Sequence, residues 1–156
     1  METTNQKKTV KPIPDGFRSV TPFIIVENAA GFIDFITAAF DAKVTYVLKL
    51  DDSDKIAHAR VTIGDSIIMI GEAAGEVRPM SSILYLYVND VDAAYNKALN
   101  ANGISIHEPK EEFYGDRSAG IRDAWNNQWW IATHVEDVSE EDVKTRMKSY
   151  THQPAY

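Results

Sequence analysis

Hydrophobic positions change their spacing along the chain, and the change predicts strands and helices in a definite order. A β-rich run at 21–28, TPFIIVEN, precedes apolar residues that recur at helical spacing from Phe32 to Phe40, behind a predicted N-cap at Asn28. Three further β-rich runs, separated by turn-forming residues, follow at 43–52, 56–65 and 66–73. The first half of the chain therefore has the predicted order β-α-β-β-β.

The same order recurs in the second half. SILYLYVND, at 82–90, is a predicted strand, and apolar residues from Val91 to Leu99 then share one helical face. Asn102 and Gly103 predict the end of this helix. Further strands are predicted near 104–113, 117–123 and 128–136. Val26 and Val88 each end the first strand of their unit, so the repeat is 62 residues long.

These patterns predict an α+β fold of tandem βαβββ modules that form a curved mixed sheet around a cleft. We expect one structural domain, with a short terminal helix that begins in a capping box at Ser139 and Asp142. Its predicted parts are a flexible N-terminal arm (1–16), the first module (17–74), a linker (75–80), the second module (81–137), and a C-terminal helix and tail (138–156).

Composition narrows the classes of partner and cellular location. The net charge of −7 disfavours nucleic acid and anionic membrane surfaces as partners. Without cysteine, the chain has no disulfide, thiolate nucleophile or sulfur ligand from that residue. We find neither a secretory signal peptide nor a membrane-spanning run, and we expect a cytoplasmic protein.

The stretch YGDRSAGIRDAWNNQWW, at 114–130, carries a resemblance to a known family. Together with the tandem βαβββ pattern, it resembles the PhnB-like branch of the vicinal oxygen chelate superfamily, also called the glyoxalase/bleomycin resistance protein/dioxygenase superfamily. The resemblance covers about residues 17–137. The chain departs from the branch after Asp123, where Ala124, Trp125 and Asn126 stand in place of Pro-Phe-Gly. Asparagine tolerates the left-handed backbone of a tight turn, so we expect the hairpin to persist.

The resemblance implies a divalent metal in enzymes of this superfamily, held by His and Glu side chains of the cleft. The corresponding positions of this chain are Thr21, Met69, Ile83 and Trp130, and none of them is a useful ligand. The remaining candidates do not form such a set, because strand spacing separates them: they are Glu72, His58, His107 and His134. We predict no metal and no cofactor, with Glu72 as an exposed acid at a strand end.

Side-chain alternation along the strands predicts which residues line the cleft. The candidate ligand-binding residues are Thr21, Phe23, Met69, Ile83, Tyr85, Tyr87, Trp130, His134 and Arg117. An aromatic and thioether-rich lining with a few polar groups suits a flat aromatic ligand. The alternative is that these side chains fill the space as a closed core. Arg117 can clamp an anionic ligand. We favour instead ion pairs of Arg117 and Arg122 with Asp116 and Asp123, which would fix the hairpin.

Three functions remain open at this point, of which one is a scaffold that acts through protein contacts and that a solid cleft would favour. The favoured hypothesis is a metal-free protein that binds a small aromatic or amphipathic molecule and is not an enzyme. We also expect it to form a homodimer. The alternative is a lyase, isomerase or dioxygenase of the same superfamily that uses an atypical metal site or a metal-free base such as His134. The catalytic residues of such an enzyme and the identity of the ligand are unknown from the sequence.

Overall fold

The computed structural model describes residues 10–50 and 53–150. Its first module comprises β1 (Phe23–Val26), α1 (Ala29–Phe40), β2 (Lys43–Lys49), β3 (Ile56–Ile63) and β4 (Ser66–Glu72). The second comprises β5 (Ile83–Tyr87), α2 (Val91–Asn100), β6 (Ile104–Glu111), β7 (Asp116–Arg122) and β8 (Gln128–His134). A final helix, α3 (Glu140–Ser149), begins at the predicted Ser139 cap. The predicted tail and most of the N-terminal arm lie outside the described residues.

Each module forms its own four-stranded mixed sheet. The strand order is β1-β4-β3-β2 in the first sheet and β5-β8-β7-β6 in the second. In both, the first and last strands of the module pair in parallel, whereas the other neighbours are antiparallel. The two topologies are identical, and the predicted α+β fold of tandem βαβββ modules is confirmed.

The N-terminus of each module's helix is held by the last strand of that module. In the first module, the Glu72 carboxylate accepts hydrogen bonds from the backbone N–H groups of Asn28 and Ala29, at 2.7 and 2.9 Å. Glu72 is therefore a half-buried helix cap and not the exposed acid we predicted. In the second module, the Thr133 hydroxyl accepts from the Val91 N–H at 2.9 Å. Both acceptors satisfy N–H groups that the helix itself leaves free.

The helix-side faces of the two sheets share one hydrophobic core. Phe32 and Ile36 of α1 are fully buried in it, as are Ile121 and Ile131 of the second sheet. Phe40 of α1 also packs against Trp129 of β8, with ring centroids 4.6 Å apart. Within residues 10–50 and 53–150, no helix is long and apolar enough to cross a membrane. Since the core covers only one face of each sheet, the opposite face remains free to form a site.

Candidate functional site

A pocket of about 460 Å³ opens on the free face of the second sheet. Its lining consists of Tyr85, Tyr87, Tyr114, Asp116 and His134. Tyr85 and Tyr87 point the same way because they are two residues apart on β5, and their ring centroids are 5.2 Å apart at an interplanar angle of 53°. Asp116 begins β7 and His134 ends β8, where the two residues are direct partners in the antiparallel register. The pocket is thus built by three neighbouring segments of one sheet.

Asp116 is the centre of the hydrogen bonds in this pocket. The hydroxyl groups of Tyr85 and Tyr87 donate to its Oδ2, at 3.1 and 3.0 Å. Its Oδ1 lies 2.8 Å from Nδ1 of His134. Asp116 is only 3% exposed, so its charge is compensated by these three neighbours rather than by bulk water. The pocket floor is therefore a buried, fully hydrogen-bonded carboxylate.

The three tyrosines remain neutral phenols across the physiological pH range. Burial raises the pKa of Tyr85, and contacts with Tyr114 and with the negative charge of Asp116 raise it further. The pKa of Tyr87 is raised by burial and by its hydrogen bond to Asp116. Burial is also the main cause of the raised pKa of Tyr114. Each phenol keeps its proton beside the Asp116 carboxylate, because a phenolate there would be repelled by a like charge.

His134 lies between two carboxylates at the edge of the pocket. Its Nδ1 faces Asp116, and its Nε2 lies 3.0 Å from Oδ1 of the exposed Asp137. The hydrogen bond to Asp116 and then that to Asp137 raise the pKa of His134 above the ordinary value of 6.5. Both ring nitrogens can donate only when the imidazole is protonated, so this arrangement favours the imidazolium. In this state, His134 has no free lone pair with which to remove a proton.

The raised pKa of His134 predicts a pH-dependent stability. Its contribution is fully present below about 6.5, the unfolded-state value, and is lost as pH rises through the higher folded-state value. We expect His134→Gln to lower the free energy of unfolding at mildly acidic pH, with a smaller difference from the original protein at alkaline pH. Urea denaturation of both proteins across this range measures the difference. A difference that does not change with pH would contradict the assignment.

A second buried carboxylate, Glu112, adjoins the pocket. It is 6% exposed and accepts hydrogen bonds from the hydroxyls of Ser118 and Tyr150, at 3.2 and 2.7 Å. Nζ of Lys110 lies 3.4 Å from the same carboxylate and provides a positive charge. Tyr150 follows α3, so this contact attaches the C-terminal helix beside the pocket. Unlike Asp116, Glu112 is paired with a permanent cation.

Eight of the nine predicted site residues divide into three groups in the structure, and Arg117 lies apart from them. Tyr85, Tyr87 and His134 line the pocket. Ile83 lies on the same strand as the two tyrosines and is exposed, whereas Trp130 is 4% exposed and packs against His107, with ring centroids 5.1 Å apart. The remaining three are in the first module and do not line this pocket: Thr21 precedes β1, Phe23 begins β1, and Met69 is its partner on β4.

Arg117 is not at the pocket, and its predicted ion pairs are wrong. Its guanidinium binds both carboxylate oxygens of Asp92 in α2, each at 2.8 Å. Neighbouring residues on a strand point to opposite faces, so Arg117 lies on the helix side while Asp116 faces the pocket. An anion clamp by Arg117 at this pocket is therefore excluded by the geometry of β7.

Asp123, the other acid for which we predicted an arginine partner, organises the β7–β8 turn. Its carboxylate accepts hydrogen bonds from the backbone N–H groups of Trp125 and Asn127, each at 2.9 Å, and from Nε1 of Trp129 at 2.9 Å. The side chain of Asn127 also donates to it, at 2.9 Å. Asn126 has a φ of 66°, so the turn does use a left-handed asparagine as predicted. Asp123 is a structural centre and not an ion-pair partner.

Two pocket residues, Tyr114 and Asp116, were missing from the predicted site. For Asp116 the signal was present in β7, where Ala119 and Ile121 mark the core side by alternation. The same alternation places Asp116 and Ser118 on the other face. The family motif groups Asp116 with its sequence neighbours and does not indicate which face of the sheet it occupies.

The positions at which the fold would hold a metal do not fit one here. A hydroxyl, a thioether, an alkyl chain and an indole, from Thr21, Met69, Ile83 and Trp130, supply neither imidazole nor carboxylate. In the part of the chain that the structure describes, no three His, Asp or Glu side chains are grouped so that they could hold a metal ion. His134 does not form a metal site with Asp116 and Asp137 either, because the two carboxylates lie at opposite ring nitrogens and cannot meet at one ion.

Fold and pocket together define a tandem βαβββ protein with a tyrosine-lined pocket on one sheet face. A sequence model of the Glyoxalase/Bleomycin resistance protein/Dioxygenase superfamily matches residues 18–131, and the chain belongs to this superfamily. Uncharacterized proteins of Mycobacterium bovis and Mycobacterium tuberculosis are 27% identical to it over 142 residues. The matches cover 84% of this chain and 93% or 83% of those proteins, respectively.

Solved structures are similar in fold. TioX from Micromonospora sp. ML1 has a TM-score of 0.60 at 16% identity, and the match covers 74% of this chain and 99% of TioX. A PhnB protein from Bacillus cereus has a TM-score of 0.57 at 16% identity, with the same coverage. A glyoxalase/bleomycin resistance protein/dioxygenase family enzyme from Burkholderia phytofirmans PsJN has a TM-score of 0.58 at 17% identity, over 72% and 95% of the two chains. At these identities the likeness concerns the fold alone.

Proposed function

We propose that the protein binds a small aromatic or amphipathic molecule in the tyrosine-lined pocket, without a metal. The observation that carries the proposal is the pocket itself: three tyrosines, two of them neighbours on one strand face, surround a buried carboxylate in an open volume of about 460 Å³. Tyrosine rings provide apolar contact area, and their oxygens provide directional hydrogen bonds. A ligand with an aromatic body and one polar group matches both features.

Binding is favoured over proton-transfer chemistry by the state of His134. It is the base that a metal-free enzyme would use, but both of its nitrogens face carboxylates. A general base needs a free lone pair within reach of the substrate proton. The pocket therefore supports recognition better than catalysis.

We further infer that the chain belongs to the PhnB-like branch of the superfamily and acts in the cytoplasm. Tyr114, Gly115, Asp116 and Arg117 carry the motif on which the branch assignment depends. Tyr114 and Asp116 line the pocket, Arg117 of β7 binds Asp92 of α2, and Gly115 has a φ of 99°. A side chain at Gly115 would meet the Glu136 carbonyl, so only glycine fits there.

We also propose a homodimer in which a second copy covers the free face of the first sheet. That face exposes Phe23, Tyr46 and Leu48, with 42–52% of each residue accessible. It also carries Arg60, which packs over the Tyr46 ring at 4.8 Å and can meet a carboxylate of the second copy, whose net charge is −7. Sedimentation equilibrium should give twice the 17.5 kDa chain mass, and Tyr46→Glu should shift it toward the monomer. A monomer at all concentrations would refute this assembly.

The binding proposal is tested with 1-naphthalenemethanol, a neutral probe with an aromatic body and one hydroxyl. We expect saturable NMR shift changes at Tyr85, Tyr87 and His134. Tyr85→Leu should weaken binding about fivefold, through loss of ring contacts worth about 1 kcal/mol. Val77→Ala is the control, because Val77 is 52% exposed in the segment between the modules, outside both the pocket and the proposed dimer face. No saturation, or equal weakening by both variants, would contradict the proposal.

A further inference from the structure

The charge and hydrogen-bonding state of the pocket restrict the ligand that it can accept. Both tyrosine O–H groups of β5 are already directed at Asp116. What Tyr85 and Tyr87 can still offer a ligand is therefore their oxygen lone pairs and their ring faces. A ligand that presents hydrogen-bond donors fits this surface. A ligand that presents only acceptors cannot use the O–H groups of Tyr85 and Tyr87, because both already donate to Asp116.

The charges around the pocket favour a cation. Of the groups that line the pocket, the Asp116 carboxylate and the protonated His134 offset each other. The exposed Asp137 on the other side of the His134 ring adds one negative charge, and the Glu112–Lys110 pair beside the pocket adds none in sum. The local balance is thus one negative charge, within a chain whose net charge is −7. The field of the whole chain and the charges near the pocket therefore both attract a cation. The nearby guanidinium of Arg117 does not alter this balance, because it is bound to Asp92 on the opposite face.

The arrangement of the rings also suits a cation. The rings of Tyr85 and Tyr87 are in contact, with centroids 5.2 Å apart and an inclination of 53°, and they form a corner whose hydroxyl ends reach Asp116. An organic cation is attracted to an aromatic face within about 6 Å of the ring centroid. One ammonium group over the open side of this corner can therefore approach both ring faces and the Asp116 charge at once.

We propose that the ligand of this pocket is an organic ammonium ion with an aromatic or amphipathic body. This inference rests on the proposed binding function, and it adds the charge and the donor group of the ligand. The ammonium group lies against the exposed faces of the two tyrosine rings, beside Asp116, and the apolar body extends toward the exposed rim of Tyr87. A carboxylate ligand of the same shape is disfavoured by the same charges.

Three probes that share one ring system test this inference. They are 1-naphthylmethylammonium, 1-naphthalenemethanol and 1-naphthoate, which carry a cationic, a neutral and an anionic group at the same position. Isothermal titration at neutral pH should show the ammonium probe binding about tenfold more tightly than the alcohol, as expected for a partly desolvated cation–π and ion contact. The naphthoate should bind more weakly than the alcohol.

Two variants assign the preference to the residues that cause it. Asp116→Asn should retain binding of the alcohol and reduce the ammonium preference to about onefold, because the charge is removed while the shape is kept. Tyr87 is 62% exposed, so its replacement leaves the fold intact even if Asp116→Asn does not fold. Tyr87→Phe keeps the ring and should keep most of the preference, whereas Tyr87→Leu should lose part of it.

The outcomes separate this inference from the function on which it depends. Equal affinity for the alcohol and the ammonium probe at the pocket overturns the ammonium inference and leaves the binding function standing. Tighter binding of the naphthoate overturns it as well. Failure of all three probes to bind contradicts the proposed function and removes the inference with it. A tenfold preference that disappears with Asp116→Asn or declines with Tyr87→Leu supports both.

Discussion

Replacement of Asp123 by alanine should lower the free energy of unfolding by about 4 kcal/mol. The carboxylate is 3% exposed and accepts from four N–H groups, which belong to the backbone of Trp125 and to Asn127 and Trp129. Alanine leaves these donors without their acceptor, and Trp129 is itself 1% exposed, where water cannot easily replace it. Unsatisfied buried donors cost more than the net value of the bonds they lose.

Urea denaturation monitored by tryptophan fluorescence and by circular dichroism measures this loss. Asp54→Ala is the control, because Asp54 is fully exposed and its ion pair with Lys49 is at the surface. We expect the control to change the stability by about 0.5 kcal/mol or less. Asp123→Asn should fall between the two, since one amide oxygen replaces half of the acceptor. If Asp123→Ala and Asp54→Ala unfold at the same urea concentration, the role assigned to Asp123 is wrong.

Replacement of Trp125 by alanine should lower the free energy of unfolding by about 3 kcal/mol and should destabilise α1 in the first module. Trp125 lies in the turn between β7 and β8, but it packs edge-on against Phe32 of α1, with ring centroids 5.3 Å apart. Its Nε1 also donates a hydrogen bond to the Glu27 carbonyl, just before α1. One side chain of the second module therefore braces the start of the first module's helix.

Hydrogen exchange separates this cross-module role from a general loss of stability. In Trp125→Ala, the amides of α1 should exchange faster relative to those of α2, because the lost contacts are with α1. Trp125→Phe is the matched variant: it keeps a ring against Phe32 and loses only the N–H donor, so we expect a cost of about 1 kcal/mol. Uniform acceleration of both helices would show that Trp125 does not link the modules.

The fold was accessible from the sequence because its signals are local. Helical spacing, strand alternation and turn residues each act within a few positions, and the repeat offered the same information twice. The caps at Asn28 and Ser139 are confirmed, since each side chain accepts a hydrogen bond from an N–H three residues on. Such short-range rules do not depend on how distant segments meet.

The arrangement of the candidate site was less accessible, for two physical reasons. The predicted ion pair of Asp116 with Arg117 requires two sequence neighbours to meet in space. A strand places them on opposite faces, where Arg117 binds Asp92 and Asp116 contacts His134. Trp130 shows the second reason. Alternation predicts its face but not its exposure, which depends on the approach of His107 from β6 and on Gly120 leaving room for the indole. Contacts of this kind are set by register and by packing between strands, which a single strand's pattern does not contain.

The caps at the two helix starts show how the modules have diverged. Glu72 is in the last residue pair of β1 and β4, and Thr133 directly follows the last pair of β5 and β8. Each offers an oxygen to the N–H of the first residue of its module's helix. One oxygen is ionic and the other is neutral. The backbone requires an acceptor there and does not specify its charge. The two modules can therefore keep the same topology while their sequences and their charges diverge.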